Sequence, residues 1–349
     1  MSYESIETTP APAVDALDAA DHVGRGSARQ ERLVYFAEAY ALVGLTVALI
    51  VLFSVLPSTT GTFPSVGNLQ ATLGNQAVLT IIAVGAVLPL VANAYDFSVG
   101  ANMGLSAVLA GKALAAGAPV VVALLVAAGT GVAVGLTNGL VVTRARVNSV
   151  IATLGMAAVI SGVLSWITGG QAIVNGIPSS LTSFGADTFL DIPLPVYVAL
   201  AVSAIVYFVL GHTTYGRYTH SVGANRTAAR LVGVNVRRVT LSTFVIGGML
   251  AGGAGLIEIA RIGVANPQVG PDFTVPAIAA AFLSVAAIRP GTFNVGGILV
   301  AILFLGALNS GLNLAGVSSY VNNIANGIAL IAGVALAGLF GRQRGDAES

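Results

Sequence analysis

Five uncharged polar residues, Asn93, Ser98, Asn102, Asn138 and Asn309, stand within or beside apolar stretches of this chain. Amides and hydroxyls donate and accept hydrogen bonds without carrying charge. A set of them near the middle of a helical bundle could meet the hydroxyl groups of a small neutral solute and release them again. The same groups also hold apolar helices together by bonding between them, and their spacing alone leaves both uses open.

Two acids fall in similar surroundings. Asp96 sits between apolar runs, where its side-chain oxygen can cap the helix that follows. Glu258 precedes Arg261 by three residues, a spacing that favours an ion pair over a proton relay. Other reactive constellations are missing from the sequence. His22, His212 and His220 all lie in polar segments, and no His-x-x-x-His or Gly-x-Ser-x-Gly pattern occurs. Gly111-Lys112 is followed by Ala113, and Ser106 occupies the position where a phosphate-binding loop needs its first glycine. The chain has no cysteine, which removes disulfides, thiolate catalysis and Cys-ligated metals. These absences argue against an enzyme, and any ATP would have to be hydrolysed by another chain. The reading is therefore that this chain binds no cofactor and no metal itself.

The elements that must position these residues are membrane helices. Of 349 residues, 56% are hydrophobic and only 8% charged, against about 25% in an ordinary soluble domain. Mean hydropathy is +0.89. The net charge of +1 and scattered arginines exclude a nucleic-acid partner. Crossing a hydrocarbon core of about 30 Å takes roughly 20 helical residues. Ten runs qualify: 33–56, 77–94, 98–116, 120–142, 150–167, 196–210, 241–262, 273–288, 295–314 and 321–340. The fold class is thus an all-α integral membrane protein of about ten transmembrane helices. Residues 1–32 are expected to form a disordered cytoplasmic tail, 33–341 the transmembrane domain and 342–349 a second cytoplasmic tail. With both termini inside, thirteen of the fourteen arginines fall on the inner side, as short basic loops require. The longest outer loop, 168–195, has no basic residue.

Glycine recurs at small-xxx-small spacing in Gly131, Gly135 and Gly139 and around Gly247, Gly248, Gly252 and Gly253, which predicts close helix packing. Gly135-Leu136-Thr137-Asn138-Gly139-Leu140 is echoed by Gly306-Ala307-Leu308-Asn309-Ser310-Gly311-Leu312 five spans later. An odd offset turns the second copy over in the membrane, the arrangement of an inverted-repeat permease bundle. The loop 212–240 carries five arginines and a short amphipathic stretch, Ala228, Ala229, Leu231 and Val232, between Gly223 and Gly233. That stretch reads either as a topology anchor or as a contact for a partner's groove.

Several motifs carry a resemblance. Asp96-Phe97-Ser98-Val99-Gly100, Thr137-Asn138-Gly139-Leu140, Ile151-Ala152-Thr153-Leu154-Gly155-Met156 and Val222-Gly223-Ala224-Asn225 resemble segments of the ribose/xylose-type ABC sugar permeases. So do Ala228 to Val236, Leu250 to Gly255, Ala265-Asn266-Pro267 and Leu308 to Leu314, in one consistent order across about Gly74 to Phe340. The resemblance implies a permease subunit that translocates a monosaccharide or similar polyol across the bacterial inner membrane. It implies two ATPase subunits, an extracytoplasmic sugar-binding protein and a second permease subunit, here a homodimer, with ATP acting through the ATPase. It also turns Gly223, Asn225, Ala228, Ala229, Arg230, Leu231 and Gly233 into an ATPase-coupling segment. Ser284-Val285-Ala286-Ala287-Ile288-Arg289-Pro290-Gly291 departs from the family pattern by being bulkier and by adding a cation. The alternatives are an ion- or proton-coupled secondary transporter, or an amino-acid or nucleoside permease of the same superfamily. The Asp96 to Gly100 stretch favours carbohydrate over the latter.

Overall fold

The computed structural model describes residues 38–347, and the side chains of 319 and 338–347 are outside what it describes. The expected tail at 1–32, with Arg25, Arg29 and Arg32, and the side chains of Arg342 and Arg344 therefore lie outside the described residues. Thirteen α-helices follow in order among the described residues: α1 Glu38–Val55, α2 Val66–Val91, α3 Val99–Ala115, α4 Val120–Thr143, α5 Ser149–Thr168, α6 Ser179–Ala186, α7 Leu194–His212, α8 Thr214–Ala224, α9 Arg226–Leu231, α10 Val236–Ile262, α11 Gly270–Leu283, α12 Val295–Leu314 and α13 Ser319–Ala347. The only strands among the described residues form a two-residue hairpin, Thr188–Phe189 with Ile192–Pro193.

Eight of these helices are long and apolar enough to cross a membrane, and two shorter apolar helices, Val99–Ala115 and Gly270–Ala286, complete the expected ten. Two begin well before the apolar signal. Helix α2 starts at Val66, because Ser65 caps it by accepting from the amide of Asn68, and its first turns carry Asn68, Gln70, Asn75 and Gln76. Helix α10 starts at Val236 on the cap of Asn235, whose side chain accepts from Arg238. Polar first turns dilute hydropathy without breaking the backbone ladder.

The two halves pack on each other through corresponding helices. The long helices α2 and α10 form the central pair, crossing where Gly85 and Gly247 meet backbone to backbone. Each then packs on the other half: α10 on α4 and α3, α2 on α12 and α11. The α4 seam explains the glycine pattern, since a Cβ on Gly131 or Gly135 would overlap the carbonyl oxygen of Gly248 or Phe244. Gly253 alone of its group faces open space.

The short helices α3 and α11 follow loops that mirror each other. In the first, the side chain of Asp96 accepts from the amide of Ser98; in the second, that of Asn266 accepts from Gln268. The two helices then begin against each other, for a Cβ on Gly100 or Gly270 would strike the other's backbone. They run in opposite directions from that contact. Helix α3 ends beside α5, where Lys112 Nζ donates to the carbonyl of Ile167 at 2.7 Å, while α11 leads into the Ile288 turn, which bonds to Ala39 on α1.

Candidate functional site

One end of the bundle gathers the arginines. Arg144 and Arg146 from the α4–α5 loop, Arg226 and Arg230 from α9, and Arg237 and Arg238 from α10 surround a cavity of about 1260 Å³ that has no acidic residue in its lining. All six are exposed. The shape follows from local capping. Asn225 accepts from the amides of Thr227 and Ala228 and starts α9, and Gly233, with φ of 85°, turns the chain toward α10. Gly223 rests so closely on the carbonyl of Val91 that no side chain fits there.

Within the expected coupling segment the residues divide by direction. Ala229 turns inward and packs with Ala92, Val222, Val236 and Val239, so it anchors α9 and does not face a partner. Ala228 and Arg230 are exposed, and Leu231 and Val232 present their side chains outward at 85% and 78% exposure. Below them α8 is held to α10 by Ser242, whose hydroxyl donates to Tyr215 at 3.1 Å. Burial pushes the Tyr215 phenol above its ordinary pKa and keeps it a neutral partner.

Arg226 connects this surface to the interior. Its guanidinium donates to the carbonyl of Asn93 at 2.8 Å and more weakly to that of Ala92, just where Asn93 adopts a left-handed conformation with φ of 53°. From there the chain runs inward along α5: the amide of Tyr95 donates to Ser149 and that of Phe97 to Thr153. It ends in a buried polar seam. Asp96 Oδ1 accepts from the amide of Ser98 at 2.9 Å and from its hydroxyl at 2.6 Å. Asn138 Nδ2 donates to Ser98 Oγ at 2.8 Å. Asn102 Nδ2 donates to the carbonyl of Gly248, and more weakly to that of Gly131.

The five candidate solute residues therefore occupy three places. Ser98, Asn102 and Asn138 come together at 0–1% exposure, bonding α3 to α4 and α10. Asn93 lines the basic cavity. Asn309 lies at the opposite end, between α2 and α12, in a crevice shared with Gln76 and Ser310. Of the acids, Glu258 pairs with Arg261 at 2.8 Å as its spacing suggests, whereas Asp96 closes the turn ahead of α3 through Ser98, and the helix N-cap, Ser98, has no side-chain cap bond. Arg261 also donates to Asn75.

Two features escaped the sequence reading. Asn294 closes the unusual turn before α12, its Nδ2 donating to the carbonyls of Ser284, Ala287 and Thr292 and its Oδ1 accepting from Gly297. An N-cap asparagine ahead of an apolar run is a legible signal for that role. The second is the amide-rich start of α2, visible as Asn68, Gln70, Asn75 and Gln76 ahead of an apolar stretch.

An all-helical bundle with eight helices long and apolar enough to cross a membrane, and a capped, arginine-rich loop at one end, fits a membrane transport protein. Residues 68–337 match the family described as branched-chain amino acid transport system / permease component, and the chain belongs to that family: it is the permease component of an ATP-binding-cassette importer. Among curated proteins it is 33% identical to the ribose import permease protein RbsC of Escherichia coli K12 over 304 residues, covering 86% of this chain and 95% of the relative. It is 33% identical to the autoinducer 2 import system permease protein LsrC of an Enterobacter strain, covering 83% and 84%. It is 30% identical to the D-allose transport system permease protein AlsC of Escherichia coli K12, covering 78% and 84%. No solved structure matches the chain.

Proposed function

We propose that this chain imports a monosaccharide or similar small polyol across the bacterial cytoplasmic membrane, as one of two identical permease subunits fed by an extracytoplasmic sugar-binding protein. The names of its relatives support a small hydroxylated cargo: ribose and D-allose for two of those above, autoinducer 2 for the third. The basic end faces the cytoplasm, in keeping with the preference of Lys and Arg for inner loops, and both termini lie there.

The observation that carries the reading is the tip of α9, where Leu231 and Val232 stand almost fully exposed beside the arginine-lined cavity. Large apolar side chains exposed on a cationic aqueous surface call for a protein partner, and a separate ATPase subunit is the partner this reading assigns. ATP acts there and not on this chain. Closure of the ATPases pushes α9, and Arg226 passes the displacement to Asn93 and the loop that leads to Ser98.

The test is co-purification from native membranes with the partners identified by mass spectrometry. Recovery of an ATPase and a sugar-binding protein is the expected result. Recovery of this chain alone, from a preparation in which a control importer stays intact, overturns the reading in favour of a transporter that works without ATPases.

A further inference from the structure

At the end opposite the arginines, α2 and α12 part around a crevice of about 190 Å³. Helix α2 contributes Asn68, Thr72, Asn75 and Gln76, whose spacing places them on one helix face. Helix α12 answers with Asn309, Ser310 and Asn313. Seven of the ten lining residues are therefore polar, and none is charged.

The crevice lies where the polar first turns of α2 meet its apolar run, for Gln76 is the last amide before the stretch that starts at Ala77. Polar side chains packed between two helices there face either each other or a wet cavity. Some do face each other. Ser310 Oγ donates to Asn68 Oδ1 at 2.9 Å, and Asn309 Nδ2 donates to Asn326 at 3.3 Å.

The remaining acceptors are left over. Gln76 Oε1 and Asn309 Oδ1 are both buried without a hydrogen-bond partner. A buried unpaired acceptor is destabilising, and a ligand hydroxyl would satisfy it. The space for Gln76 is made deliberately by sequence: a Cβ on Gly306 would come within 2.8 Å of its side chain. If the amides served only to fasten the helices, Gln76 would bond across to α12, and its side chain makes no such bond.

We infer that this crevice is a binding subsite for a single monosaccharide, with Gln76 Oε1 and Asn309 Oδ1 accepting hydrogen bonds from its hydroxyls. The inference rests on the sugar-import reading above and adds the place where the cargo is met. The volume corresponds to roughly six waters at about 30 Å³ each, which suits one sugar ring. The absence of charge suits a neutral cargo held weakly enough to move on.

The chain has no cysteine, so a thiol introduced here is the only one in the subunit. The experiment uses the full complex in vesicles, carrying Gln76→Cys or Asn309→Cys, treated from outside with the membrane-impermeant reagent MTSES. Phe189→Cys, on the exposed hairpin at the same end, reports that the reagent reaches the protein. Both crevice thiols are expected to react, and reaction at Asn309→Cys should stop uptake. Whichever of D-ribose and D-allose the wild-type complex takes up should slow labelling at least about threefold, while sodium chloride of equal osmolality does not. Silent crevice thiols beside a labelled Phe189→Cys, or labelling that sugar leaves unchanged, overturn the subsite while leaving the import reading standing. A wild-type complex that imports no monosaccharide overturns the import reading, and the subsite falls with it.

Discussion

The two ends of this bundle present opposite chemistry. The basic end is a wide cavity with six arginines and no acid in its lining; the other end is a crevice about one-seventh that size, lined by amides and hydroxyls and carrying no charge. Charge acts over distance, to about 10 Å at 0.1 M salt, and suits the approach of a large partner with an acidic face. Amides act only at contact and suit a small neutral solute that must leave again. On the function proposed above, the contrast assigns coupling to one end of the chain and cargo recognition to the other, with Arg226, Asn93 and the loop to Ser98 between them.

Reversing one charge should break the comparison most severely. The Arg230 side chain is exposed and makes no hydrogen bond among the described residues, where only its carbonyl accepts, from Gly233, so Arg230→Glu costs the fold little. Uptake should fall about 100-fold or more, equivalent to about 3 kcal/mol at a charged contact, while insertion and orientation stay normal. Radiolabelled uptake beside a protease-accessibility assay checks this, and undiminished transport would remove α9 from the coupling surface. A gentler version is salt. Raising ionic strength from about 0.05 M to about 0.5 M should weaken capture of the ATPase about tenfold by screening, and leave sugar protection of a crevice thiol unchanged. Equal sensitivity at the two ends would erase the distinction.

How much of this was legible depended on the range of the signal. The ten spans could be read because each needs only its own hydropathy, and the glycine seam because Gly131, Gly135 and Gly139 repeat at helical spacing. The expectation of an inverted repeat rested on one short echo, whereas the paired turns at Asp96 and Asn266 and the contact of Gly100 with Gly270 depend on residues about half the chain apart. The short helix between Gly223 and Gly233 was legible as an amphipathic stretch and forms at Arg226–Leu231, yet Ala229 could not be assigned to the inside from six residues of helix. Of the solute candidates, the sequence could give the residue type but not what each one touches. Ser98, Asn102 and Asn138 share a closed seam, whereas Asn309 opens on a crevice whose other wall begins 241 residues earlier, at Asn68.

That last contrast yields the smallest and most discriminating effect. Asn138 and Asn309 hold the same place in the two echoed segments and differ in what the asparagine does. Asn138 gives one bond, to Ser98, and Ser98 remains bonded to Asp96 without it. Its own Oδ1 has no partner, so no acceptor interaction is lost on truncation. Asn138→Ala should therefore cost about 0.6 kcal/mol, the average for an interhelical bond in a membrane, or about 1–2 °C in melting temperature. Uptake should stay within about twofold of wild type, in contrast to the loss expected when the thiol at position 309 is modified. Uptake abolished by Asn138→Ala with melting unmoved would mean that the closed seam opens during transport and forms part of the cargo's route, and recognition would then span both repeats instead of one.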